Sequence, residues 1–71
     1  MPAVNGMKLR ALREAQVWNR TMLEGKSGVS RVTILAIEQG KRTRVHRGTI
    51  HKLAAALDVE PKALLRDEET S

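Results

Sequence analysis

The 71-residue chain contains no cysteine, no phenylalanine and no tyrosine, and Trp18 is its one aromatic residue. Without cysteine there is no disulfide framework and no thiolate zinc site, and a core so poor in aromatics does not fit a β-rich domain. Long apolar runs are missing too: the longest, residues 53–57, spans five residues, against the ~20 needed to cross a bilayer. Residues 1–6 lack the basic start and apolar centre of a secretory signal, so the cytoplasm is the expected location. Enzyme signatures are equally scarce. There is no cysteine nucleophile, no glycine-rich phosphate loop after a strand and no carboxylate pair in a cleft, and His46 and His51 lack metal-ligand spacing. Neither catalysis, a bound cofactor nor a metal is expected.

What is present is an ordinary globular balance, 41% hydrophobic and 30% charged, which excludes a disordered chain and fits one small domain. The charge is unevenly placed. Residues 1–57 hold eleven Lys and Arg against three acids, while residues 58–71 hold two against five. A basic body with an acidic tail favours a polyanionic partner.

Apolar spacing predicts helices along the whole chain. Leu9 and Leu12, with Met7 and Ala15 beside them, mark a first helix over residues 7–16. Asn19 is a candidate N-cap for a second helix through Arg20, Met22, Leu23 and Lys26, which Gly25 weakens by ~1 kcal/mol relative to alanine. Ser27, Gly28, Val29 and Ser30 then form a turn, with Gly28 permitting a left-handed backbone, Val29 as apolar plug and Ser30 capping the next helix. That third helix, residues 31–39, carries Ile34 and Ile37 inward and ends at Gly40. Lys41, Arg42, Arg44 and Arg47 lie in an exposed basic loop over residues 41–47. Ile50, Leu53, Ala54 and Leu57 predict a fourth helix starting near Thr49, and Glu60-Pro61 starts a fifth containing Ala63, Leu64 and Leu65. Five short helices and no strand are expected, with a flexible arm at residues 1–6 and an acidic disordered tail at residues 67–71.

Two helices around a glycine turn have the layout of a helix-turn-helix. Here the residues also resemble a family. The run Gly28-Val29-Ser30-Arg31-Val32-Thr33-Ile34 followed by Ile37-Glu38-Gln39-Gly40-Lys41-Arg42 is similar to the recognition segment of Cro/repressor-type (xenobiotic-response-element type) helix-turn-helix proteins. Lys8-Leu9-Arg10 with Leu12-Arg13 resembles that family's first helix, and Thr49-Ile50 through Lys52-Leu53-Ala54, Ala56-Leu57 and Val59 its fourth. The resemblance covers residues 7–65 and implies an all-α, compact five-helix, lambda-repressor-like DNA-binding domain over residues 7–66, with the helix-turn-helix at about 20–39. Three positions depart from the family pattern. Glu24 stands where a small alanine is usual, Arg20 where glutamine is frequent, and the loop before Thr49 is one residue longer and lacks a proline. A carboxylate at position 24 must reach solvent or a cationic partner, so the second helix is expected to be shifted or loosened.

The resemblance implies a division of roles. Ser30, Arg31, Val32, Leu35 and Ala36, on the side of the third helix away from Ile34 and Ile37, become candidates to meet base edges. Arginine can bond guanine O6 and N7 together, and Val32 or Ala36 suits a thymine methyl. Asn19, Arg20, Lys41, Arg42 and Arg44 become candidates for backbone phosphates. Arg13 and Glu38 match a partly buried structural ion pair of the family, and Trp18 falls where a core leucine is usual. A sequence-specific regulator of transcription of the repressor class follows, binding double-stranded DNA as a homodimer through residues 57–65 on a pseudo-palindromic operator. A second reading stays open: a protein-interaction module or antitoxin-like protein that binds a partner through Val32 and Leu35.

Overall fold

A computed structural model describes residues 1–67. Among the described residues, four α-helices follow in order, α1 (Gly6–Ala15), α2 (Arg20–Ser27), α3 (Arg31–Glu38) and α4 (Arg47–Leu57), then a single 3-10 turn, Pro61–Leu64. The expected fifth helix is thus one 3-10 turn. Proline starts it well, but Leu65 is already extended at φ −87°, ψ 153°, so no α-helical register develops. α4 begins at Arg47, two residues before Thr49, capped by His46 without a side-chain bond.

Local chemistry explains each boundary. Asn5, Asn19 and Ser30 accept from the amides of Lys8, Met22 and Val32 and so cap α1, α2 and α3. Gly28 at φ 77° and Gly40 at φ 76° supply the left-handed residues after α2 and α3. Val17 adopts φ 60° between α1 and α2, an uncommon conformation for a β-branched residue. Despite Gly25, α2 is unbroken. The core is built from Leu9, Leu23, Ile34, Ile37, Leu53 and Leu64, all essentially inaccessible, with Val29 plugging the turn and Trp18 packed against the edge.

The arm at residues 1–6 packs against the domain where a flexible segment is expected. Ala3 and Val4 are buried, and they form isolated antiparallel bridges to Arg44 and Leu65. The Val4 amide donates to the Thr43 carbonyl at 2.8 Å and the Asn5 amide to that of Leu64 at 2.7 Å. The chain start therefore ties the basic loop to the 3-10 turn. The loop is also less exposed than its composition predicts, because Val45 is buried and its amide donates to the Pro2 carbonyl at 3.3 Å. Of the expected acidic tail, Asp67 lies 3.6 Å from the Lys8 ammonium; Glu68 and Glu69 lie outside the described residues.

Gly6 marks the closest approach between elements. A Cβ there would lie 2.0 Å from the Ile37 carbonyl oxygen, so only glycine lets the start of α1 rest on the end of α3. Among the described residues, no helix is long and apolar enough to cross a membrane, and no cluster of His, Cys, Asp and Glu could hold a metal ion.

Candidate nucleic-acid interface

α2 and α3, joined by the Gly28 turn, hold most of the residues expected at an interface. α3 is eight residues long and turns Ile34 and Ile37 into the core. Helical periodicity then sends Arg31 and Val32 outward, where both are exposed, Val32 by 71%. Leu35 and Ala36 are half-buried at the border of this face. The Ser30 hydroxyl accepts from the Val32 amide at 3.1 Å, which fixes it at the start of α3 and leaves its proton to donate. Gln39 is the exposed C-cap of α3 and, seven positions after Val32, falls on the same face. Gln39 is not among the residues expected from the sequence, although helical period from Val32 leads to it.

A buried charge cluster fixes how this face is presented. Arg13 Nε and Nη2 donate to the Glu38 carboxylate at 2.8 and 3.0 Å, and its Nη1 donates to the Trp18 carbonyl at 2.6 Å. The two side chains are 7% and 1% exposed. α1, the α1–α2 loop and α3 are thereby locked together by a bidentate pair, the strongest geometry available to these groups. The hydrogen bond to Glu38 raises the Arg13 pKa above the ordinary arginine value, against an opposing effect of burial. With the folded value raised, that stabilisation is complete at any pH below the ordinary arginine range and is lost only as the pH climbs through the higher folded value.

Arg20 joins this cluster. Its Nε donates to Glu38 Oε1 at 3.0 Å, so one side of its guanidinium is held inside the protein. It is therefore a third member of this cluster as well as a residue at the start of α2, where a phosphate contact is expected. Two arginines against one carboxylate leave the group with a net positive charge at a side chain still 35% exposed. Asn19 Oδ1 is committed to the Met22 amide at 2.8 Å, which leaves its NH₂ to donate.

The basic loop is anchored to the end of α3. The Lys41 and Arg42 amides donate to the Ala36 carbonyl at 2.9 and 3.1 Å while both side chains remain exposed. Arg44 is tethered differently, its Nη1 donating to the Met1 carbonyl at 2.9 Å. Lys41 and Arg42 are thus fixed to the end of α3, and Arg44 to the first residue. Lys26 and Trp18 meet beside α2, the ammonium 5.0 Å from the ring centroid, in a cation–π contact that keeps Trp18 in a packing role.

Glu24 finds neither solvent alone nor a cation. Its carboxylate accepts from the Arg31 amide at 3.0 Å, the first helical amide of α3. That contact explains why a carboxylate is tolerated at position 24 without displacing α2. The residues expected for a dimer contact divide as well: Leu57 and Leu64 are buried in the core, leaving Val59, Pro61, Ala63 and Leu65 half-buried. A cleft of about 200 Å³ lies beside them, lined by Pro2, Arg47, Ile50, His51, Pro61 and Leu65.

The four helices, the glycine turn and the outward face of α3 define a helix-turn-helix. The family model described as helix-turn-helix domain matches residues 6–67, and the chain belongs to that family. It is 43% identical over 60 residues to the HTH-type transcriptional repressor RghR of Bacillus subtilis (strain 168), covering 84% of this chain and 44% of that protein. The chain thus spans less than half the length of the curated relatives it matches. Among solved structures, the restriction-modification controller protein C.AhdI from Aeromonas hydrophila superposes with a TM-score of 0.78 at 40% identity, over 84% of this chain and 89% of that one. The hypothetical transcription factor NHTF from Neisseria superposes with a TM-score of 0.76 at 32% identity, over 96% of this chain and 78% of that one.

Proposed function

We propose that this chain is a sequence-specific, non-enzymatic regulator of transcription that acts in the cytoplasm and reads the major groove of double-stranded DNA with α3. The observation that carries the reading is the outward face of α3. Arg31 and Val32 stand exposed at the start of a helix whose inner side packs through Ile34 and Ile37 and whose far end is clamped by the Arg13–Glu38 pair. A rigidly held helix with an arginine at its start suits base reading, whereas a loosely held one would lose geometric discrimination. Ser30, Arg31, Val32, Leu35 and Ala36 are the base-contacting set, and Asn19, Lys41 and Arg42 contact phosphates, with Arg20 and Arg44 contributing charge from their tethered positions. The names of RghR and C.AhdI, a repressor and a controller protein, support the regulatory assignment and the repressor class.

A homodimer on a pseudo-palindromic operator completes the proposal. The longest dimension of the fold is 30 Å, less than the ~34 Å between half-sites one helical turn apart, so reading two half-sites takes two copies. Leu65 and Val59, half-buried beside the 3-10 turn, are the apolar residues the interface would use. The exposure of Val32 also suits a protein partner, and one experiment separates the readings. Fluorescence-anisotropy titration of a labelled duplex across a salt series is expected to give a slope of log affinity against log salt of about −5, as for about six neutralised phosphates. Absence of DNA binding at low salt, together with capture of a partner that Leu35→Asp abolishes, would replace the DNA reading with the interaction reading.

A further inference from the structure

The Glu24 side chain performs a task at the interface that its position in α2 does not suggest. Its backbone carbonyl accepts from the Gly28 amide at 2.8 Å, closing α2, while its carboxylate accepts from the Arg31 amide at 3.0 Å, opening α3. The first turn of α3 has no acidic residue of its own. Of the three carboxylates in residues 1–57, Glu14 is paired with Arg10 and Glu38 is buried with Arg13 and Arg20. Glu24 is the third, and it sits at the start of the recognition helix.

The free amides and positive dipole end of a helix attract phosphate oxygens whatever the base sequence. At α3 the Arg31 and Val32 amides already have acceptors in Glu24 and Ser30. A phosphate approaching Arg31 N–H would therefore meet a carboxylate. Contacts from the Arg31 and Val32 side chains to base edges are left intact, because Glu24 engages only the backbone of Arg31. We propose that Glu24 is a specificity-determining positioning residue: by holding a negative charge on the first amide of α3, it suppresses binding to arbitrary duplex more than binding to the operator. The inference rests on the DNA-reading proposal above.

The test compares the full chain with Glu24→Gln and Glu24→Ala on two duplexes of equal length, one selected from random sequence by the wild-type protein and one scrambled. Glu24→Gln keeps an acceptor and removes the charge; Glu24→Ala frees the amide. Expected are a rise of about fivefold in affinity for the scrambled duplex, a smaller change on the selected one, and a salt slope on the scrambled duplex steeper by about one for alanine. Equal changes on both duplexes would overturn the inference and make Glu24 a plain cap. If alanine unfolds the domain, the same comparison with glutamine decides. Failure of the wild type to bind either duplex would instead sink the DNA reading itself.

Discussion

Arg13 and Glu38, 25 positions apart in sequence, form a bidentate ion pair whose side chains are 7% and 1% exposed. Its value is asymmetric: an intact buried pair contributes modestly, but an orphaned partner is costly. Arg13→Ala leaves Glu38 with Arg20 alone, whereas Glu38→Ala strands two guanidinium groups, one of them buried. Each substitution is expected to lower the unfolding free energy by ~3–5 kcal/mol, with Glu38→Ala the worse. Urea denaturation of the two single variants and the double variant checks this. The double variant should cost clearly less than the sum of the singles, because each removes what the other would strand.

The glycines of α1 and α2 are expected to respond in opposite directions. Gly6→Ala drives a Cβ into the Ile37 carbonyl and must separate α1 from α3, costing ~1–3 kcal/mol. Gly25 sits inside α2 with open space where a Cβ would stand, so Gly25→Ala should stabilise by ~0.5–1 kcal/mol. Thermal unfolding followed by circular dichroism distinguishes the signs directly.

Val17 holds a left-handed backbone at φ 60° while 87% of it is exposed. Packing therefore does little to hold it there, and the conformation is imposed by the bonds around it: its own amide donates to the Glu14 carbonyl, and the Trp18 carbonyl accepts from Arg13. Relief of that strain should make Val17→Gly more stable by ~1 kcal/mol. An unchanged or lowered melting temperature would contradict this.

Much of this architecture is legible in the sequence, because its signals are local. Asn19, Ser30, Gly28 and Gly40 act within four residues of themselves, and the inward positions of Ile34, Ile37, Leu53 and Leu57 follow from helical period. What escapes is non-local. Nothing near Val4 signals that it will bond to Thr43, and nothing near Arg20 signals that Glu38 will take its Nε. Val45 is hidden among four basic neighbours that dominate the composition of its loop. Glu24 looks misplaced in the sequence for the same reason: its partner is a backbone amide seven residues away across a turn, a group that no pattern of side chains reveals.

At the interface itself, two arginines are expected to behave differently. Arg31→Ala should relax preference at one base position of each half-site and cost ~1–3 kcal/mol on the preferred duplex. Arg42→Ala should weaken binding to all duplexes alike and make the salt slope shallower by about one. Competition titrations over single-base variants of one duplex separate these outcomes.

Selection of bound duplexes from random DNA, followed by sequencing, tests the central claim most directly. An enriched two-fold symmetric motif, with half-sites one helical turn apart, is the predicted result. Recovery of no motif at low salt would contradict the assignment of α3 as a reader of base sequence.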